Sequence, residues 1–178
     1  HIRREKATSN ICTSQVLLAN MSVLYAMYHG RIGLQFIAKH VHNLAKLFRE
    51  ALVSAGFKVL TGTQFFDTIA IRVDHAADAL ISACEQEGFN IAQLNSNTIS
   101  VSFAETVQLT ELRTLIKVFT GIMPKLKMLT ARYKDFLLAQ DHHFRQDSFL
   151  SHPHFNSYQT ETKMMRYLKK LENRDLSL

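Results

Sequence analysis

The chain has 178 residues, of which 47% are hydrophobic and 20% charged. Six glycines, two prolines, two cysteines and no tryptophan exclude collagen-like, disordered and disulfide-scaffold chains, and favour helix over a turn-rich all-β fold. The net charge of +6 is uneven: residues 1–60 carry eight basic against two acidic side chains (+6), residues 61–121 three against seven (−4), and residues 122–178 ten against six (+4).

That balance reads as two basic faces around an acidic middle. No Arg-rich stripe interleaved with exposed aromatics accompanies it, so neither nucleic acid nor membrane is an expected partner. Val16–Tyr28 is the most apolar run. Asn20 and Ser22 interrupt it, and it falls short of the ~18–20 residues of a membrane span. No signal peptide is expected. The length suits one domain, or one plus an appendage. The chain opens on His1 without an initiator methionine, and both ends are expected to be cuts in something longer.

In chain order, residues 1–12 are polar and basic. Thr8, Ser9 and Asn10 are good N-cap types for the helix that follows. A first helix is predicted from about Thr13 to Tyr28. Its apolar residues occur nearly all round, which predicts burial on more than one side. Gly30 is its expected C′ residue. A second helix is predicted from Ile32 to Ala55, with Leu34, Ile37, Val41, Leu44, Phe48 and Leu52 at three- and four-residue steps. Lys39, His40, Lys46 and Arg49 fall off that stripe, and Gly56 stops the helix.

The period then changes. Phe57–Leu60 and Asp67–Val73 read as strands. Ala76–Glu87 reads as a short helix capped by Asp74. Asn90–Leu94 and Thr98–Phe103 are two further strands, joined by the turn cluster Asn95-Ser96-Asn97. Thr106–Phe119 returns to helix. A further helix is expected over Met123–Ala139, beginning near Pro124. Residues 140–158 are polar and aromatic. Thr160–Asn173 is a final amphipathic helix. The order strand, strand, helix, strand, strand, helix predicts an α+β unit, with a small, mostly antiparallel sheet and helices on one face.

Few constellations carry chemistry. His142-His143 and His152-Pro153-His154 are imidazole donors, but their spacing fits no closed zinc pattern and no metal is expected. There is no G-x-S-x-G elbow, no Cys-His signature and no glycine-rich phosphate loop. Cys12 and Cys84 lie far apart without a CxxC. They read as free, buried thiols of a reducing compartment, although Cys12 stands near a helix N-terminus, where a thiol can be activated. The segment Arg3-Arg4-Glu5-Lys6-Ala7-Thr8-Ser9-Asn10 enters an apolar helix. It reads either as plain capping or as an anion-binding polar cleft.

The run His1-Ile2-Arg3-Arg4-Glu5-Lys6-Ala7-Thr8-Ser9-Asn10-Ile11-Cys12-Thr13 resembles the glycine decarboxylase family, the P-protein of the glycine cleavage system. The similarity continues through Leu17-Leu18-Ala19-Asn20-Met21, Tyr28-His29-Gly30 and Phe65-Phe66-Asp67-Thr68. It returns at Ser151-His152-Pro153-His154-Phe155-Asn156, at Glu161-Thr162-Lys163-Met164-Met165-Arg166-Tyr167, and at Leu171–Leu178. It spans essentially the whole chain and matches the distal part of the family's N-terminal half.

The resemblance implies the small domain of a fold-type-I enzyme dependent on pyridoxal 5′-phosphate, with long N-terminal helices and a helical C-terminal extension. It divides the chain into a polar segment and linking helix (1–30), an α+β small domain (31–121) and an extension toward the C-terminal half (122–178). The implied reaction is oxidative decarboxylation of glycine, a step of glycine catabolism, with transfer of the aminomethyl group to the lipoylated H-protein. The family's Schiff-base lysine lies in the C-terminal half, and Lys6 does not correspond to it. No catalytic residue is therefore expected here, no covalently bound cofactor, and no decarboxylase activity of the chain alone. Thr8, Ser9 and Asn10 are expected to line the cofactor or substrate cleft of the complete enzyme. Arg3 and Arg4 are expected to pair with carboxylates of the large domain.

The implied partner is the catalytic C-terminal half or subunit; homo-oligomerisation is left open. Bacterial cytoplasm and mitochondrial matrix both suit such an enzyme. The alternative is a stand-alone, non-enzymatic chain acting as an interaction module.

Overall fold

The computed structural model describes residues 14–74, 76–138, 145 and 147–174. The chain forms two compact units, residues 1–35 with 145–178, and residues 36–144. Helix α1 (Ser14–Ser54) contributes to both. No described helix is long and apolar enough to cross a membrane.

The unit of residues 36–144 is built on a four-stranded sheet of β1 (Lys58–Val59), β2 (Thr68–Arg72), β3 (Ala92–Asn95) and β4 (Thr98–Ser102). The strand order is β1-β2-β4-β3 and every pairing is antiparallel. Ile69 stands opposite Val101 and Ile71 opposite Ile99, so four branched side chains share one face. Strands alternate their side chains, and the other face is therefore polar: Thr68 pairs with Ser102, and their hydroxyls lie 2.8 Å apart. The two-residue turn Ser96-Asn97 closes the β3–β4 hairpin, with the Asn97 amide donating to Asn95 Oδ1 at 2.9 Å.

Helices cover the apolar face. α1 brings Leu44, Phe48 and Leu52, α2 (Ala77–Gln86) brings Cys84, and α3 (Leu109–Thr120) brings Leu112, Ile116 and Phe119 to one core with those strands. Phe48 sits at its centre, edge-on to Phe103 and Phe119 at 5.5 and 5.2 Å. Burial of each such side chain contributes about 1.5–3 kcal/mol. α4 (Leu126–Leu138) packs beside α3 and adds Leu129 to the core. This is the α+β arrangement expected, with helices on one face of a small antiparallel sheet.

Helix boundaries depart from expectation where tertiary contacts compete with local signals. Asp74 does not cap α2: the N-cap is Ala76, without a side-chain bond, and the Asp74 carboxylate pairs with Arg72 at 3.3 Å. α3 starts later than Thr106, because Gln108 and Glu111 form a reciprocal capping box. α4 starts at Leu126, and Pro124 instead offers its carbonyl to the Arg113 Nε–H at 2.6 Å.

The two predicted N-terminal helices run together as α1. Gly30 is a break inside it, at φ 60° and ψ −174°, a conformation almost confined to glycine. The stretch before that break is not buried on several sides. Leu17 and Leu18 are each 64% exposed in this chain, while Met27 is buried. The unit of residues 1–35 and 145–178 also contains a one-turn 3₁₀ helix (Pro153–Asn156) and α5 (Glu161–Glu172). Thr160 caps α5, its Oγ1 accepting from the Lys163 amide.

Candidate functional site

Thr8, Ser9 and Asn10, the residues with an expected cleft-lining role, lie outside the described residues, as do Arg3, Arg4 and Cys12. The helix they enter is described. Residues 14–30 contain no Asp, Glu, Lys or Arg. They nevertheless expose Val16, Leu17, Leu18, Met21 and Val23 along nearly two turns of α1. An uncharged helix stretch that exposes apolar side chains nearly all round marks a surface that belongs against another protein surface.

Gly30 ends that face and meets the second of the recognised motifs. A Cβ built at Gly30 would lie 2.2 Å from Gln159 Nε2 and 2.9 Å from the Phe155 carbonyl oxygen. No side chain fits there. Glycine thus lets the turn around Phe155 approach α1 backbone to backbone. The Gln159 amide also donates to the Phe155 carbonyl at 3.2 Å, which ties off the same turn.

Around this turn the histidines pack rather than converge. His152 Nδ1 accepts from the His154 amide at 3.2 Å, capping the 3₁₀ turn. The His154 ring stands edge-on to Tyr158 and Tyr167, both at 5.8 Å, and the two tyrosines stack at 4.2 Å. Leu150 (φ 51°) bends the chain into the turn, and its carbonyl and that of His152 accept from Asn156 Nδ2. The residues that carried the resemblance in 151–167 therefore fold into one aromatic knot on α5. His142 and His143 lie outside the described residues. Among the described residues, no three His, Cys, Asp or Glu side chains are grouped to hold a metal ion.

Cys84 is a free, fully buried thiol, as its sequence setting implied. Desolvation pushes it up to about 11, which suppresses the reactive thiolate at neutral pH. A covalently held pyridoxal phosphate needs a lysine enclosed in a pocket. Among the described residues no lysine is buried, so these residues do not fit that role.

One polar contact was not foreseen from the sequence. His40 Nε2 lies 3.0 Å from the Val107 carbonyl oxygen, and Nδ1 lies 2.6 Å from Tyr133 Oη. Its sequence signal was slight: a histidine just off the apolar stripe of α1.

The architecture is that of an α+β segment with a bare, uncharged helix, a part suited to a larger protein. The comparisons agree. The sequence model of the glycine cleavage system P-protein matches residues 1–119, and the chain belongs to that family. The whole chain is 44% identical to part of a glycine dehydrogenase (decarboxylating) of Aliivibrio fischeri strain MJ11 and covers 19% of that protein. It is 45% identical to its counterpart in Vibrio cholerae (19% of that protein) and 44% identical to that of Chromobacterium violaceum (18%). The chain thus spans about a fifth of the length of these relatives and matches one region of the larger enzyme.

Proposed function

We propose that this chain serves as the small-domain segment of a pyridoxal-phosphate-dependent glycine dehydrogenase (decarboxylating) of the glycine cleavage system. The observation that carries this reading is the pairing of similarity along the whole chain with the uncharged, exposed apolar stretch of α1. The similarity supplies the enzyme. The face supplies the reason the segment needs it. Residues 1–30 are the polar segment and linking helix, 31–121 the small domain, and 122–178 the extension toward the catalytic half.

On this reading the cofactor is held in the catalytic half, and bound there it withdraws the electrons left when glycine loses carbon dioxide. This chain contributes surface and position. Thr8, Ser9 and Asn10, at the entrance to α1, supply hydroxyl and amide groups to the cleft, where the helix N-terminus favours an anionic group. The aminomethyl product passes to the lipoyl arm of the H-protein.

The test is made in the complete enzyme. Replacing Ser9 and Asn10 with alanine is expected to weaken cofactor retention, read from visible absorbance on dialysis, or to raise KM for glycine. Unchanged retention and kinetics reduce the segment to helix capping. Leu17→Glu with Met21→Glu is expected to prevent this segment from docking, seen as a loss of assembled enzyme. Release of labelled carbon dioxide from glycine by the 178 residues alone overturns the division of labour.

A further inference from the structure

Among the described residues, two of the exposed apolar stretches differ in charge. The α1 face has none. The second surface runs from the end of α3 through the connector into the first turn of α4. It exposes Ile122 and Met128 (70% and 62%) together with Met123 and Leu126. Residues 112–134 contain six basic side chains, Arg113, Lys117, Lys125, Lys127, Arg132 and Lys134, and no acidic one.

Two of the six are engaged at home. Arg113 donates to the Pro124 carbonyl, and Arg132 pairs with Glu50 at 2.6 Å. The four lysines are exposed, and among the described residues they have no ion-pair or hydrogen-bond partner. Lys117, Lys125 and Lys127 flank the apolar side chains. Lys134 lies two turns beyond Lys127 on the same side of α4.

These features decide what kind of cover the surface takes. Sealing unpaired ammonium groups into a permanent interior costs several kcal/mol each, and lysine is depleted from the cores of stable interfaces. Exposed lysines around adaptable methionines suit a partner that arrives, docks and leaves, because long-range charge speeds the encounter and soft side chains fit the contact. A bilayer is the poorer fit. Membrane-surface segments place aromatic residues at the interface, and no exposed aromatic side chain occurs between Lys117 and Met128.

We infer that the Lys117–Lys134 surface is a transient docking site for an acidic protein that presents carboxylates around an apolar spot. This rests on the function proposed above. The protein that visits such an enzyme in each turnover is its lipoylated carrier substrate, and the inference assigns that role to the visitor here. The carrier's docking face is therefore expected to be acidic.

The complete enzyme is assayed with two acceptors, the lipoylated carrier protein and free lipoic acid, which needs no docking. Reversing Lys117, Lys125 and Lys127 to glutamate is expected to raise KM for the carrier roughly tenfold or more and to flatten its salt dependence. KM for glycine and the rate with free lipoic acid are expected to stay unchanged. Met128→Ser with Ile122→Ser provides a charge-neutral second variant, expected to raise the same KM without altering the salt slope.

If both variants keep the wild-type KM for the carrier, the docking site is refuted. If the glutamate variant loses activity with both acceptors, the surface is a structural contact inside the enzyme and the inference also falls. Wild-type binding to phosphatidylglycerol–phosphatidylcholine vesicles that outcompetes the carrier overturns it in favour of a membrane. A complete wild-type enzyme that does not decarboxylate glycine overturns the proposed function instead, and takes this inference with it.

Discussion

The hydroxyl of Tyr133 on α4 lies 2.6 Å from Nδ1 of His40 on α1, and this contact orients the imidazole. The other ring nitrogen faces the Val107 carbonyl at 3.0 Å. A carbonyl oxygen only accepts, so Nε2 carries the proton and Nδ1 offers its lone pair. One imidazole ring thus joins α1, the segment before α3, and α4.

Tyr133→Phe removes the donor and leaves Nδ1 unfilled in a half-buried site. The expected loss is about 1 kcal/mol, a fall in Tm of several degrees. Nitrogen chemical shifts of His40 are expected to report the Nε2–H tautomer in the native chain. An Nδ1–H tautomer contradicts the assignment.

Gly30→Ala combines two penalties. The residue sits at a positive φ that alanine resists, and its new Cβ would meet Gln159 Nε2 and the Phe155 carbonyl. The expected cost is roughly 1–3 kcal/mol, with faster proteolysis within 151–160. Adding Gln159→Ala relieves the side-chain clash only, so partial recovery is expected. Full recovery means that the backbone conformation carries no strain.

Stability is expected to fall at high pH through Cys84. Burial lifts its thiol to about 11 from 9.0, so the folded chain holds the proton where the unfolded chain gives it up. Below pH 9 both states are protonated and nothing changes. Between 9 and 11 the unfolded chain binds fewer protons, and stability declines by at most roughly 3 kcal/mol before levelling. Tyr133, raised by the same cause, extends the decline above 10. Urea melts across this range in Cys84→Ala are expected to show a shallower slope; an identical slope assigns the decline to other groups.

Asn43 is 3% exposed, and among the described residues its Nδ2 has no hydrogen-bond partner. Leucine shares the γ-branched shape and has no amide to desolvate. Asn43→Leu is therefore expected to stabilise the chain by about 1 kcal/mol, visible as a higher urea midpoint. A lower midpoint shows that the amide is satisfied by water or by a partner in the complete enzyme.

The strands at 67–73 and 98–103, the turn at Ser96-Asn97, the stop at Gly56 and the final helix from about Thr160 were legible because each is written in adjacent residues. Alternating β-branched residues, a positive-φ glycine and a hydroxyl before a helix act within a few positions. What was not legible depended on which of several partners a group takes. Asp74 has the chemistry of a cap, but Arg72 holds its carboxylate. Pro124 has the chemistry of a helix start, but its carbonyl serves Arg113. Apolar residues all round α1 imply burial only where something exists to bury them, and this chain leaves Leu17 and Leu18 open. The role of Thr8, Ser9 and Asn10 came from resemblance, since three capping residues look alike whether or not a ligand is nearby.

The sheet has one further property. All four residues of edge strand β3 are exposed, and its pairing with β4 shifts register between Gln93 and Asn95. The opposite edge, β1, is two residues long. A bulge twists an edge away from flatness, and a two-residue edge gives too little ladder to copy. Neither border offers a template on which a neighbouring chain can polymerise. Newly made protein can therefore wait with the greasy side of α1 uncovered without its sheet seeding fibrils.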